Sequence, residues 1–492
     1  MGILCYNSLE TWDCMLYCNT KRYILAFSAF RVKFQFLNFP GFARFFYFYV
    51  RCGCTRSAKE VPMDIRVVIL LILEGLFALW LLRRSHCLVD VRVTLRCALL
   101  LVLALFIRLT FFDRENTDYQ WFLKVWVDFY RTNPGFSALG KAIGNYNIPY
   151  LYFLALFARS PIRDLYLIKL LSVFFDILLA WAGLLLVRRC GGSIFRALVC
   201  FFVILFLPTI VLNSATWGQC DSIYTSLALL GIAAALPTGR KEGNPALSMV
   251  CIALSFGFKL QAVFIMPVWV ILWAWQRYKW YWFALFPLTY LVLILPAVIA
   301  GRPLQDAVML YFNQAGTVGD ALNYNAPSLT AFLRNVTAPE VLSSGLIVAA
   351  FIAMGMIVLS GILLRRRMTP VLFLGFTALT VLMIPFLLPH MHDRYFYPAD
   401  VVTAVLAVCV PWLTPAAVFT QFGSFICYIA YFTGFYQRVG RSNFFLTNDR
   451  GAFTVLLAMA EVTFFLCRET FFAHPSPLPA HPRAALSEKR KK

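Results

Sequence analysis

The chain has 492 residues, of which 61% are apolar and 14% charged, and its mean hydropathy is +0.73. Soluble chains sit near half apolar and a quarter charged, so a soluble enzyme with one core, a secreted disulfide scaffold and a disordered chain are excluded in favour of a polytopic membrane protein. Lys and Arg outnumber Asp and Glu by 44 to 23, a net +21 that reads as topogenic charge in short cytoplasmic loops, with no nucleic acid expected as partner.

Residues 1–62 differ in character from the rest of the chain. They hold five of the 14 cysteines (Cys5, Cys14, Cys18, Cys52, Cys54) and an aromatic, basic stretch that Arg31, Lys33 and Arg44 interrupt too often for a span. The favoured reading is an extension or non-native start, with Met63 opening the functional chain; the alternative is an interfacial basic-aromatic segment. The remaining cysteines scatter through apolar stretches as small hydrophobes without metal-ligand spacing.

From Met63 the apolar segments run over 65–82, 94–112, 164–187, 194–212, 222–236, 246–258, 260–275, 281–300, 341–364, 371–389, 398–413, 415–435 and 451–467. They predict an all-α bundle of about 11–13 transmembrane helices over 63–467, followed by a basic cytoplasmic tail over 468–492. Basic clusters at Arg83-Arg84, Arg188-Arg189, Arg240-Lys241, Arg277 with Lys279, Arg365 to Arg367 and Lys489 to Lys492 fall on one face when the segments alternate sides, and the positive-inside rule makes that face cytoplasmic. The alternation requires 246–275 to be a hairpin tipped near Lys259, since one long helix would put the triple Arg outside. The opposite face collects the polar stretches 113–163, 217–221, 301–340, 390–400 and 436–450, far longer than ordinary connections and so the expected working surface.

In the first of these, Asp118 precedes an amphipathic run with Trp121, Phe122, Val125, Trp126 and Phe129 at helical spacing, suited to lie flat at headgroup depth. Asp118 is either the helix N-cap or a catalytic carboxylate. The run from His390 to Pro398 is the densest polar cluster at a span end. Its His390 and His392 lack a third metal ligand, whereas Arg394 offers paired hydrogen bonds to phosphate, so an anion site fits better than zinc. Lys169 and Asp176, seven residues apart, share a helix face ~10 Å apart along the axis, and a structural contact is the expectation for Asp176. Lys259 with Gln261, and Gln219 with Asp221, are candidates for the same outer cavity. Glu74 and Glu461 have no assigned role.

These features together resemble the glycosyltransferase C superfamily, and within it the predicted mannosyltransferases related to the Gpi18 protein. The segments that carry the resemblance are Thr117-Asp118-Tyr119 with Trp126; Asn145-Tyr146-Asn147-Ile148-Pro149-Tyr150; Ile168-Lys169-Leu170 leading to Asp176; Trp217-Gly218-Gln219-Cys220-Asp221-Ser222; Lys259-Leu260-Gln261; and Met391-His392-Asp393-Arg394-Tyr395, spread over residues 94–440. The resemblance implies a glycosyltransferase C-type bundle with interfacial helices in the first large extracytoplasmic loop. It also implies transfer of a hexose, mannose by family likeness, from a polyprenyl-phosphate donor to a glycan or glycolipid acceptor. Asp118 matches the catalytic position best and Asp113 second; Asp393 stands where related chains commonly carry Glu.

Such a transfer displaces a phosphate at the anomeric carbon, and phosphate departs as an anion without a strong general acid. Fixed cations suffice for it: Arg394, His392, His390 and Lys259 are the donor-phosphate set. The acceptor hydroxyl must lose a proton, the role expected of Asp118, and a single displacement inverts the anomeric centre. Tyr119, Trp217, Gln219, Asp221, Gln261 and Tyr395 are the expected substrate-binding side chains. The sequence identifies no certain cofactor, and outer acidic residues leave a divalent metal open. The membrane is either a bacterial plasma membrane or the endoplasmic reticulum, with the site on the extracytoplasmic or lumenal side. The alternatives are a transporter or flippase of lipid-linked sugars and a non-catalytic subunit of a glycosylation complex.

Overall fold

The structure, a computed structural model, describes residues 64–471 apart from 145, 239–241, 312–320, 334–337 and 434–446. The N-terminal extension, the Lys489 to Lys492 tail, the Arg240-Lys241 cluster and Asn145 therefore lie outside the described residues.

Each apolar segment in the sequence forms helix. The helices in chain order are α1 (Ile65–Arg84), α2 (Val91–Leu109), α3 (Lys124–Thr132), α4 (Ile148–Phe157), α5 (Asp164–Arg189), α6 (Ile194–Phe206), α7 (Pro208–Val211), α8 (Asp221–Ala235) and α9 (Pro245–Phe258). They continue with α10 (Val268–Gln276), α11 (Leu285–Ile299), α12 (Leu304–Val308), α13 (Pro339–Leu363), α14 (Pro370–Leu387), α15 (Tyr397–Cys409), α16 (Thr414–Thr433) and α17 (Asn448–Phe471). The starts reflect local chemistry. Asp90, Ser193, Asn244 and Thr369 each accept a hydrogen bond from a first-turn N–H, and proline opens α9, α13 and α14, where its missing N–H costs nothing.

Among the described residues seven helices are long and apolar enough to cross a membrane: 65–84, 164–189, 280–299, 339–366, 370–387, 411–432 and 448–471. Helix α6 and the stretch Pro208–Trp217 make an eighth if counted as one span bent by 50°, the bend falling at Pro208, which withholds an N–H from the ladder. That is fewer than the expected 11–13. The difference lies in α8, α9 and α15, apolar helices of 15, 14 and 13 residues, in α10, which has nine, and in α2, whose run carries Arg92, Arg96 and Arg108.

Helices α9 and α10 form the expected hairpin. Helix α9 ends at Phe258, and Lys259 takes an extended conformation. The chain then returns, so that Trp269 donates to Ser248 Oγ (3.0 Å) and Tyr278 to the Ala235 carbonyl (2.7 Å). The ends of α1, α5 and α13 carry Arg83-Arg84, Arg188-Arg189 and Arg365 to Arg367, and Arg367 reaches the Thr470 carbonyl at the end of α17 (3.2 Å). The opposite helix ends carry the polar stretches. Among the described residues one feature departs from all-α: Asn323–Tyr324 (β1) pairs in parallel with Met391–His392 (β2), aligning Tyr324 with His392.

Candidate functional site

Stretches distant in sequence converge at the ends opposite the arginine clusters. Lys169, fully buried on α5, donates to the carbonyls of Phe111 (2.8 Å), Phe112 (2.9 Å) and Arg114 (2.6 Å), which fixes the chain leaving α2. Asn116 then ties that chain to the Trp217 carbonyl (2.8 Å) and accepts from the Tyr119 N–H (2.9 Å). Asn116, not Asp118, therefore caps the π-helical turn Tyr119–Leu123, and the Asp118 side chain makes no capping bond. Gly218, left-handed at φ +70°, ends the π-helical stretch Leu212–Trp217 and lets Trp217 and Gln219 on either side of it reach one group.

That group is Asp118. Its Oδ2 accepts from Trp217 Nε1 (2.9 Å) and Gln219 Nε2 (2.9 Å), and its Oδ1 from the Tyr431 hydroxyl (3.2 Å). Arg394 Nη1 lies 3.6 Å from Asp118 Oδ2, Arg394 Nε lies 3.8 Å from Asp221 Oδ2, and the guanidinium sits 5.3 Å above the Trp217 ring. Asp221, at the start of α8, also holds Lys259 Nζ (2.5 Å) and accepts from Asn213 Nδ2 (2.8 Å). Gln219 Oε1 accepts from the Tyr146 hydroxyl (2.7 Å).

The two cations differ in a way that bears on chemistry. Lys259 is committed to Asp221. The Arg394 side chain, only 16% exposed, makes no hydrogen bond among the described residues, and both its carboxylate neighbours lie beyond hydrogen-bonding distance. Its planar set of donors is of the kind that pairs with an anion.

Beside Arg394, Asp393 is 5% exposed with Oδ1 unpartnered, and burial raises its carboxyl to about 7 against the opposing pull of Arg394. His392 stacks on Tyr324 with ring centroids 4.7 Å apart, and burial, then the charges of Arg394 and Lys259, lowers its pKa to about 3. It is a neutral imidazole at physiological pH, so any contribution to an anion is a hydrogen bond without charge. Tyr395 lies 5.2 Å from His392, and Gln261 carries a buried, unpartnered Oε1.

The structure thus brings together Asp118, Trp217, Gln219, Asp221, Lys259 and Arg394, with His392 and Tyr395 alongside. It does not bring in three others. Asp113 accepts from the Tyr166 hydroxyl, Tyr119 turns its hydroxyl to Asp164 (3.0 Å), and His390 has both ring nitrogens engaged, by the Ala321 carbonyl (2.8 Å) and Ser343 Oγ (3.1 Å). Asp176 is structural as expected, pairing with Arg108 (2.9 Å) and Ser214 (2.6 Å) inside the bundle. Sequence reading passes over Tyr431, Asn213 and Asn116. Tyr431 sits in an apolar run with no polar neighbour to mark it. Asn116 stands two residues from Asp118 and could have been found as the better cap.

Among the described residues no group of three or more His, Cys, Asp or Glu is placed to hold a metal ion. Fold and site define the class: a nearly all-α protein that has, among the described residues, seven helices able to cross a membrane and a polar, mixed-charge cluster at one set of helix ends. No known protein family matches the chain, and none of the curated proteins is similar to it.

Proposed function

We propose that the protein is an integral membrane glycosyltransferase of the glycosyltransferase C type, moving a hexose, mannose by resemblance, from a polyprenyl-phosphate donor to a hydroxyl of a glycan or glycolipid. One observation carries this reading: the Asp118 carboxylate and a guanidinium without hydrogen bonds among the described residues lie 3.6 Å apart at a helix-end rim. The first suits a hydroxyl losing a proton and the second a departing phosphate. The acceptor oxygen attacks the anomeric carbon as the bond from that carbon to the phosphate oxygen breaks. The electron pair leaves with the phosphate, toward Arg394, and the proton passes to Asp118.

The hydrogen bonds around Asp118 favour one oxygen for this role. Asp118 Oδ2 already serves two donors and faces Arg394, whereas Oδ1 has only the longer contact from Tyr431. Oδ1 is the base. Lys259 balances Asp221 and keeps it from neutralising Arg394. By the positive-inside rule the arginine-bearing ends face the cytoplasm, so the site opens to the extracytoplasmic or lumenal side.

The test is transfer of labelled hexose from a prenyl-phosphate donor by purified Asp118→Asn protein. The expected result is loss of transfer with an unchanged melting temperature, and full activity would remove the proposed base. Single cysteines replacing Glu115 and Arg277 should label from opposite sides of the membrane.

A transporter is the second reading, favoured by the 50° break between α6 and α7 and the buried Asp400 beside it. Against it, Asp400 accepts from Thr209 (2.9 Å) and Ser424 (2.8 Å), and Asp176 is paired with Arg108. Both carboxylates are held as joints between helices. Movement of lipid-linked sugar across liposomes without a new glycosidic bond would favour transport instead.

A further inference from the structure

Helix α2 sends one arginine inward and two outward. Its buried face carries Cys97, Leu101, Ala104 and Arg108, the last paired with Asp176. Arg92, Arg96, Leu99, Leu103 and Phe106 follow one another at spacings of four and three residues, which sets them in one stripe along the other face. All five are exposed, the three apolar ones by 66%, 47% and 60%. In a bundle of membrane-crossing helices an exposed apolar stripe meets lipid, so the two arginines that head it face the same medium at its polar edge.

The preceding helix repeats the pattern. In α1, Leu73, Leu76, Trp80 and Arg84 are exposed at the same spacings, with the indole one turn before the guanidinium, as at a membrane interface. The turn joining the two helices is held in place: Trp181 Nε1 donates to Ser85 Oγ (2.9 Å), and Asp90 Oδ1 caps α2 by accepting from the Val93 N–H (2.8 Å). Asp90 is the only acidic residue between 83 and 96. The exposed side chains of Arg83, Arg84, Arg92 and Arg96 make no hydrogen bond or ion pair among the described residues.

Topogenic charge accounts for Arg83 and Arg84 at the turn, but it requires neither an arginine in the second turn of α2 nor its place on the apolar stripe. Arg92 and Arg96 stand about 6 Å apart along the axis, close enough for both to reach the oxygens of one phosphate. We propose that this hairpin end binds the phosphate headgroup of an anionic phospholipid in the leaflet on the arginine-bearing side. Arg92 and Arg96 hold the phosphate, Arg84 adds charge from α1, and an acyl chain runs along Leu99, Leu103 and Phe106. The surface lies at the helix ends opposite the Asp118 cluster, and the inference does not depend on the transfer chemistry.

The experiment uses the full chain, delipidated in a neutral detergent and titrated with phosphatidylglycerol or phosphatidylcholine, with bound lipid counted by native mass spectrometry. Wild type should retain phosphatidylglycerol in preference to phosphatidylcholine. The double variant Arg92→Gln with Arg96→Gln should weaken the first bound phosphatidylglycerol at least about fivefold. Arg365→Gln with Arg366→Gln, which removes two exposed arginines from the end of α13, should leave it within about twofold of wild type. Unchanged binding by the Arg92 and Arg96 variant overturns the proposal, and an equal loss in both variants overturns it by showing a diffuse attraction to the whole basic face. Inorganic phosphate at millimolar concentration should fail to displace the lipid, since it has no chain to lie on the stripe; full displacement would sink the lipid assignment. The lipid-free Arg92 and Arg96 variant should melt with wild type, whereas a clear fall would show that these arginines are bonded within the protein and count against a lipid site.

Discussion

Trp217 and Tyr431 stack with ring centroids 4.0 Å apart and planes 17° from parallel, and each donates to a different oxygen of Asp118. The pair clamps one carboxylate from two helical stretches that meet only in the fold, and the asymmetry of the clamp is testable. Trp217→Phe keeps most of the ring but removes a donor from the oxygen that orients the group. It should lower kcat for transfer about tenfold, near the value of one hydrogen bond to a charged acceptor. Tyr431→Phe keeps the stack and relieves the oxygen assigned to the proton, so its kcat should change less than about threefold. The reverse order in steady-state kinetics would move the base to Oδ2.

Asp393 sets a pH dependence on donor binding. Its carboxyl is raised to about 7, chiefly by burial, so it changes charge near neutrality directly beside Arg394. Below that pH the neutral acid leaves Arg394 to the donor phosphate; above it the carboxylate competes for the same cation. Donor KM should therefore rise as pH passes upward through about 7, and Asp393→Asn should flatten the profile. A wild-type KM independent of pH between about 6 and 8 would contradict this assignment.

Much of this was legible from residue pattern. Apolar run length marked every main helix, and the arginine clusters required the turn at Lys259, because both obey one-dimensional rules of hydrophobicity and charge. The helix-end polar motifs at Trp217, Lys259 and Arg394 were legible for the same reason. What was not legible depends on three dimensions. Nothing in the run around Tyr431 distinguishes it from a core tyrosine, and the diversion of His390 to the Ala321 carbonyl and Ser343 needs the β1–β2 pairing, which two-residue strands do not announce. The helix count fell short because α8 and α15 are almost wholly buried, among protein neighbours and not lipid, and so need not match the bilayer in length.

The neighbours His392 and Asp393 oppose one another in stability. His392 is lowered from 6.5 to about 3, so between those values the unfolded chain binds more protons and this group's contribution is lost as pH falls. Asp393 is raised from 3.8 to about 7, so the folded chain binds more protons and its contribution is lost as pH rises. Over the shared window, about pH 4 to 6.5, the slopes cancel. Melting in detergent should show Asp393→Asn gaining stability with rising pH in that window and His392→Gln losing it, each by on the order of 1 kcal/mol per pH unit. Two variants with the same slope would show that the assigned protonation states are wrong.

The Arg108–Asp176 pair ties α2 to α5 and, through Ser214, to the π-helical stretch that ends at Trp217. Arg108 is 1% exposed and Asp176 fully buried, so neither charge has water to fall back on. Asp176→Leu strands a guanidinium in the bundle and should cost about 3–5 kcal/mol, read as a fall in melting temperature. The double variant Arg108→Met with Asp176→Leu removes both charges and should recover most of that loss, since apolar packing of similar volume commonly replaces a buried pair without penalty. If the double variant melts as low as the single one, the pair's role is the geometry of the Ser214 joint more than its charge balance, and transfer activity should then fall with it.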